Sequence, residues 1–185
     1  NNPIGNGGAI TFQAGRSLLL NANITTDNGD LTLVANETLA NGVVDAYRDA
    51  GAAVITMASG VSIDAGTGTV TITLADGAGK TQIGSGSITL QDITAGTLTV
   101  SNLGTTAGSN LVLNGAIAAT GAVSLTGNHS ILGNSGASVI TSGSLSLHAT
   151  GLGTGTFAGI DLNGATLRTT GSGNRRPAAV ATASG

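Results

Sequence analysis

The stretch Leu111-Val112-Leu113-Asn114-Gly115-Ala116-Ile117, continued by Gly121-Ala122-Val123-Ser124-Leu125, carries the phrase from which the fold can be read. It runs apolar-x-apolar, a turn, one apolar residue, a Gly, then apolar-x-apolar again. Leu18-Leu19-Leu20-Asn21-Ala22-Asn23-Ile24 leads in the same way to Gly29-Asp30-Leu31-Thr32-Leu33, and Ile88-Thr89-Leu90-Gln91-Asp92-Ile93 to Gly96-Thr97-Leu98-Thr99-Val100. Weaker copies stand at Val61-Ser62-Ile63 with Gly68-Thr69-Val70-Thr71-Ile72, at Gly143-Ser144-Leu145-Ser146-Leu147 and at Ile160-Asp161-Leu162-Asn163-Gly164.

Alternation with period two, in short runs rich in Val, Ile and Thr, defines brief strands with one face buried. The Gly, Asn and Asp between runs supply the tight or left-handed backbone at which one strand bends into the next. Equivalent runs lie 23 positions apart from Ile88 to Leu111, 25 from Leu98 to Val123 and 22 from Val123 to Leu145. A period in the twenties is one turn of a parallel β-solenoid, each strand pairing with its copy one coil on. A propeller blade needs about 40 to 50 residues per repeat, and a β-sandwich does not predict the same wording at successive positions. The expected fold is therefore all-β, a parallel β-helix. At roughly 23 residues and about 4.8 Å per coil, the chain makes a rod of about eight coils and about 40 Å. Residues 1–170 are expected to form one solenoid domain, and 171–185, with Arg175, Arg176 and Pro177, an irregular tail or linker.

Composition agrees. Gly supplies 31 of 185 residues, yet with only 2 Pro the chain is not collagen, which needs Gly at about one third in strict period. Large aliphatics make up about a quarter of the chain and charge is sparse, so the chain should fold and not stay disordered. There is no Trp or Cys, and aromatics are 2 %, which leaves thin layers of aliphatics as the core. A net charge of −3 with six basic residues argues against nucleic acid as a partner. The chain carries no membrane-length apolar run and no signal-peptide pattern. Its first residue is not Met, which points to a mature product or an excised piece. Absence of Cys rules out disulfides and thiolate chemistry and fits an export route.

One stretch breaks the pattern. Residues 35–53 hold four of the 15 charged residues, Glu37, Asp45, Arg48 and Asp49, and the only Tyr. Val43, Val44 and Tyr47 stand at roughly helical spacing, so a short helical or looped excursion is expected. It should pack on one flank and shield it, with Arg48 paired to Asp45 or Asp49, or else form a contact site.

The run Leu20-Asn21-Ala22-Asn23-Ile24-Thr25-Thr26 with Asn28-Gly29-Asp30-Leu31-Thr32-Leu33 resembles the filamentous haemagglutinin-like exoproteins, two-partner-secreted adhesins of Gram-negative bacteria and cyanobacteria. Ile10-Thr11-Phe12-Gln13-Ala14-Gly15-Arg16, Ala52-Ala53-Val54-Ile55-Thr56-Met57 and Gly66-Thr67-Gly68-Thr69-Val70 are similar to repeats in the shafts of such proteins. The resemblance covers residues 8 to about 170. It implies a right-handed parallel β-helix, export through an outer-membrane pore partner, an extracellular or cell-surface location, and a role in adhesion or aggregation. Asn1-Asn2-Pro3-Ile4 does not reproduce the Asn-Pro-Asn motifs of the family's secretion domain, so a shaft segment fits better.

No catalytic, cofactor or metal residue is expected. The carboxylates Asp27, Asp30, Asp76 and their like adjoin Gly or Asn, where an Asp side chain caps its own backbone. Asp64, Asp92 and Asp161 follow similar apolar runs and are the one set that could line a glycan-cleaving groove, but no row of Arg, Lys or His matches them. His129 and His148 stand alone as solvated or corner residues. Asp76-Gly77-Ala78-Gly79 falls short of a calcium nonapeptide, and the Gly-x-Gly spacings in 151–159 lack a nucleotide-binding context. Asn21, Asn114 and Asn163 should stack along one corner. Asn23, Asn36 and Asn128 open glycosylation sequons. Thr-x-Thr runs raise ice binding, but Thr32, Ser124, Ser144 and Ser146 read as a mixed and irregular array. The expected function is a non-enzymatic rod segment of a secreted adhesin that contacts host or neighbouring cell surfaces, glycans among them. The alternative is a fibre or matrix subunit that stacks end to end through its solenoid edges.

Overall fold

The computed structural model describes residues 7–81, 84–134, 139–151, 159–164 and 166–170. The first coil is β1 (Ile10–Gln13), β2 (Leu18–Leu20) and β3 (Ile24–Thr25); the second is β4 (Leu31–Ala35), β5 (Ala53–Met57) and β6 (Ser62–Asp64). The third is β7 (Thr69–Leu74), β8 (Ser85–Leu90) and β9 (Asp92–Ala95); the fourth is β10 (Thr97–Asn102), β11 (Leu111–Leu113) and β12 (Ile117–Ala119). Two more follow: β13 (Ala122–Gly127), β14 (Ile131–Gly133), β15 (Val139–Ser142), then β16 (Ser144–Ala149), β17 (Ile160–Asp161), β18 (Thr166–Thr169). Each strand pairs in parallel with its equivalent one coil on, which gives three six-stranded sheets. The first sheet runs β1-β4-β7-β10-β13-β16. The protein is a parallel β-helix.

The register follows the repeat phrase. Ile88 lies opposite Leu111, Leu98 opposite Val123, and Val123 opposite Leu145, as the three spacings predict. In the third sheet Ile24, Ile63, Ile93, Ile117, Ile140 and Leu167 form one inward column. The inner-coil members of these columns, such as Leu31, Ile72, Leu98, Leu111 and Leu125, have no exposed surface. Each such side chain contributes about 2 kcal/mol by burial, and the strands carrying them are joined by a hydrogen-bond ladder along the axis.

The described residues form six coils, against the eight or so expected from dividing the length by 23. Linkers take up the difference. The repeat is 21 residues from Ile10 to Leu31 but 39 from Leu31 to Val70. Nearly all of that variation falls at one corner, between the first and second sheets, where the linkers are 14–17, 36–52, 75–84, 103–110, 128–130 and 150–159. Between the third and first sheets they are only 26–30, 65–68, 96, 120–121 and 143.

That short corner is lined by a column of glycines, Gly29, Gly68, Gly96, Gly121 and Gly143. Gly96 N donates to Gly68 O at 2.8 Å, Gly121 N to Gly96 O at 2.7 Å and Gly143 N to Gly121 O at 2.7 Å. A Cβ on Gly96 would stand 2.0 Å from Thr67 O, and one on Gly68 2.3 Å from Gly29 O. Close approach of backbones, and not a left-handed conformation, selects glycine here.

Candidate functional site

The flank that carries the long linkers is where the side-chain chemistry of the molecule gathers. The excursion predicted at 35–53 lies between β4 and β5 and contains two short 3-10 turns, Leu39–Asn41 and Asp45–Tyr47. Neither is an α-helix: the spacing of Val43, Val44 and Tyr47 does not mark a packed helical face, since Val44 and Tyr47 are exposed, Tyr47 by 86 %. Leu39 of the same loop and Leu103 of the 103–110 linker are exposed as well.

Beneath these tips the loop is fastened by buried polar groups. Arg48 does not pair with the carboxylate of Asp45 or Asp49. It turns inward instead, and donates from Nε to Gly15 O (3.1 Å), from Nη1 to Asp49 O (3.2 Å), and from Nη2 to Asn36 Oδ1 (2.9 Å). A guanidinium has five donors in a fixed fork, so several carbonyls held in a ring satisfy it better than one mobile surface carboxylate. Asp49 is met by Arg16 at 3.9 Å, at a largely exposed position. Asp45 accepts from Thr81 N and Thr81 Oγ1 across the next linker, and these hydrogen bonds hold its carboxyl below the ordinary range.

Lys80 completes the cluster. Its Nζ donates to Gly15 O at 3.0 Å, to Glu37 O, and to Asn36 Oδ1 at 3.4 Å. Burial lowers its pKa first, and the Arg48 guanidinium lowers it further. Burial also lowers that of Arg48. Asn36 is fully buried in a left-handed conformation (φ 54°), and its Nδ2 donates to Ala75 O (2.9 Å) and Ser85 Oγ (3.0 Å). The polar column continues along the rod. Ser109 Oγ donates to Ser85 O (3.1 Å), Asn102 Nδ2 to Gly86 O (2.9 Å) and Asn110 O (3.0 Å), and Asn110 Oδ1 meets His129 Nδ1 at 2.9 Å. These groups satisfy the linker carbonyls that no sheet reaches.

The other expected sites separate. Asp161 is on the second sheet, while Asp64 and Asp92 are on the third, where Asp92 faces Ser62 and Asp64 faces Thr94. They share no groove. Asp64, Asp76 and Asp161 each accept from the backbone N–H two residues on, at 3.0, 2.9 and 3.0 Å, as local caps. Asp30 and Asp92 reach the next coil instead and accept from Thr69 N and Ala116 N, both at 2.8 Å. Asn21, Asn114 and Asn163 follow second-sheet strands of the first, fourth and sixth coils, so they are not neighbours. The bond along the axis runs from Asn134 Nδ2 to Asn114 Oδ1 (2.6 Å). His129 is a corner residue but buried, and His148 is exposed on the first sheet. Asn36 is buried, which closes that sequon in the folded chain. Arg175, Arg176 and the 171–185 tail lie outside the described residues.

Thr11, Thr32, Thr71, Thr99, Ser124 and Ser146 form one outward column of the first sheet. The array is more regular than the sequence suggested, because the insertions all lie at a corner; Ser144 belongs to the neighbouring column. A shallow depression on the third sheet, lined by Thr94, Ala118, Thr120 and Thr170 among others, has no charged lining. Among the described residues no three His, Asp or Glu side chains gather as a metal site, and no helix is long and apolar enough to cross a membrane. Lys80 and Ser85 were not singled out from the sequence, and Asn36 only as the start of a sequon. One signal was available: Lys80 is the only lysine in the chain. Comparison with protein-family models, curated proteins and solved structures finds no match.

Proposed function

We propose that the chain is a rod segment of a secreted bacterial cell-surface adhesin, which projects or presents contacts along its length and performs no chemistry on a substrate. The observation that carries this reading is the segregation of the linkers: two corners are kept short, while one flank holds every long linker and four exposed apolar side chains, Leu39, Val44, Tyr47 and Leu103. In repeat rods, insertions collected on one face are the usual place for contacts, and weak contacts repeated along a stiff shaft add through avidity. The resemblance of the repeats to filamentous haemagglutinin-like shafts supports export through an outer-membrane pore partner, with host or neighbouring cells and their glycans as the surfaces met. Antibody raised against the chain should label intact cells, and the label should vanish in a strain lacking the pore. Label confined to permeabilised cells would overturn the reading.

End-to-end assembly is the second reading. Phe12 and Leu167 lie in register with the buried Leu33 and Ile140, yet are 43 % and 47 % exposed at the outer coils. Strand edges left open in this way can pair with another copy. Axial filaments in electron micrographs of the purified chain favour this reading; dispersed particles favour the shaft.

A further inference from the structure

We propose that Lys80 and Asn36 are the two halves of an intramolecular isopeptide cross-link, in which Lys80 Nζ attacks Asn36 Cγ and the carboxamide nitrogen departs as ammonia. Four features of the loop-bearing flank lead there. The amine and the amide are in contact, with Nζ 3.4 Å from Asn36 Oδ1. Both residues are buried, Lys80 to 6 % exposure and Asn36 to 0 %, so water does not compete for the carbonyl carbon. The amide is held from both ends: Arg48 Nη2 donates to Oδ1 at 2.9 Å, while Nδ2 is fixed by Ala75 O and Ser85 Oγ. The carbonyls of Gly15 and Glu37 aim the amine. Reactants held at contact distance gain the large effective concentration that makes a slow amide exchange feasible without an enzyme.

The surroundings suit each step. Among the described residues no carboxylate forms a salt bridge with Lys80, so its ammonium is held by neutral acceptors alone. Burial and the nearby Arg48 lower its pKa, against smaller opposing effects of Glu37, Asp45 and Asp76, which raises the share of neutral amine. The ammonium first releases one proton to solvent. Nζ then bonds to Cγ, and the carbonyl electron pair moves onto Oδ1 beneath the Arg48 guanidinium, which stabilises the developing oxyanion. On collapse the C=O re-forms and the Cγ–Nδ2 bond breaks. The departing nitrogen takes the surplus proton from Nζ in the tetrahedral intermediate, where both nitrogens are bonded to Cγ, and leaves as ammonia, while Ser85 Oγ and Ala75 O hold Nδ2 in place until it departs. One amide replaces another, so no oxidant, reductant or further co-reactant is needed. The bond would join positions 44 residues apart and fasten the root of the excursion to the linker of the third coil.

The intact mass of the purified chain, measured after denaturation, tests this directly. We expect a mass lower than that of the sequence by one ammonia, digestion fragments containing Asn36 and Lys80 that remain joined, and loss of amine labelling at Lys80, the only lysine. Lys80→Arg should restore the full mass, and Asn36→Asp should change the loss from ammonia to water. A wild-type mass equal to that of the sequence after prolonged incubation in the folded state overturns the proposal. So does an ammonia loss that persists in Lys80→Arg, since that is a succinimide at an Asn-Gly pair such as Asn41-Gly42. Should either variant fail to fold by circular dichroism, the wild-type mass and the joined fragments still decide.

Discussion

The two ends of the first sheet solve the same problem in opposite ways. Where the third sheet turns into the first, one to five residues suffice, and glycine stacks on glycine backbone to backbone, helped at the longer turns by Asn28 and Asp30, which accept from Thr67 N and Thr69 N. Where the first sheet turns into the second, linkers of three to 17 residues leave the ladder, and buried side chains must take over the bonding that the sheet provides elsewhere. The first corner keeps the backbones of successive coils in contact and varies by only a few residues. The second admits it freely, because each added linker has to satisfy only its own carbonyls and those of its neighbours. A rod can thus vary its surface along one flank without altering its core.

The strongest way to break this contrast is to add one carbon to each corner. Gly96→Ala places a Cβ 2.0 Å from Thr67 O, a backbone atom that cannot yield without moving a coil. The expected loss is about 3 kcal/mol, the upper part of the overpacking range, read as a fall in the urea midpoint. Gly42→Ala, at φ 86° in the excursion with nothing within 4 Å of the new carbon, should cost only about 1 kcal/mol of left-handed backbone strain. Equal costs at the two positions would show that the short corner is not the rigid one.

The same contrast explains what could be read from the sequence. The strands and their register were legible because alternation and Gly-ended corners are local signals, and they give the pairing of Ile88 with Leu111 and of Leu98 with Val123. The number of coils was not, since a linker of 17 residues and one of three look alike in a composition count. Arg48 was placed correctly in the excursion but wrongly paired. Sequence proximity to Asp45 and Asp49 suggested a surface ion pair, whereas its partners, Gly15 O and Asn36 Oδ1, are brought near by coil stacking. Lys80 escaped for the same reason: its neighbours in space come from the first and second coils, and no local motif announces them.

A smaller effect should separate the flank from the rod. Arg48→Ala removes the hydrogen bonds to Gly15 O, Asp49 O and Asn36 Oδ1, and leaves Lys80 Nζ as a donor to Gly15 O and Asn36 Oδ1. That should cost about 2 kcal/mol, paid locally. Protease cleavage within 36–52 should rise, while amide exchange in β10 and β13 stays as in the wild type, because in a stacked rod each coil feels only its neighbours. Faster exchange in the fourth and fifth coils as well would mean that the flank fastening supports the whole rod, and the division between the two corners would fail.

The smallest effect concerns pH and distinguishes a fastening from a mere contact. The Asp45 carboxyl is held below its ordinary range chiefly by the Thr81 side-chain and backbone hydrogen bonds. A carboxylate with a depressed folded pKa stabilises the docked loop above its unfolded pKa, and that contribution is lost as pH falls through the folded value. Amide exchange at Thr81, corrected for intrinsic pH dependence, should therefore accelerate on acidification below about pH 4, and Asp45→Asn should flatten the response. The turns at Gly96 and Thr120-Gly121 contain no titrating group, so the amides of Gly96 and Gly121 should show no such step. A step shared by both corners would place the acid-sensitive element in the core of the rod and not on its variable flank.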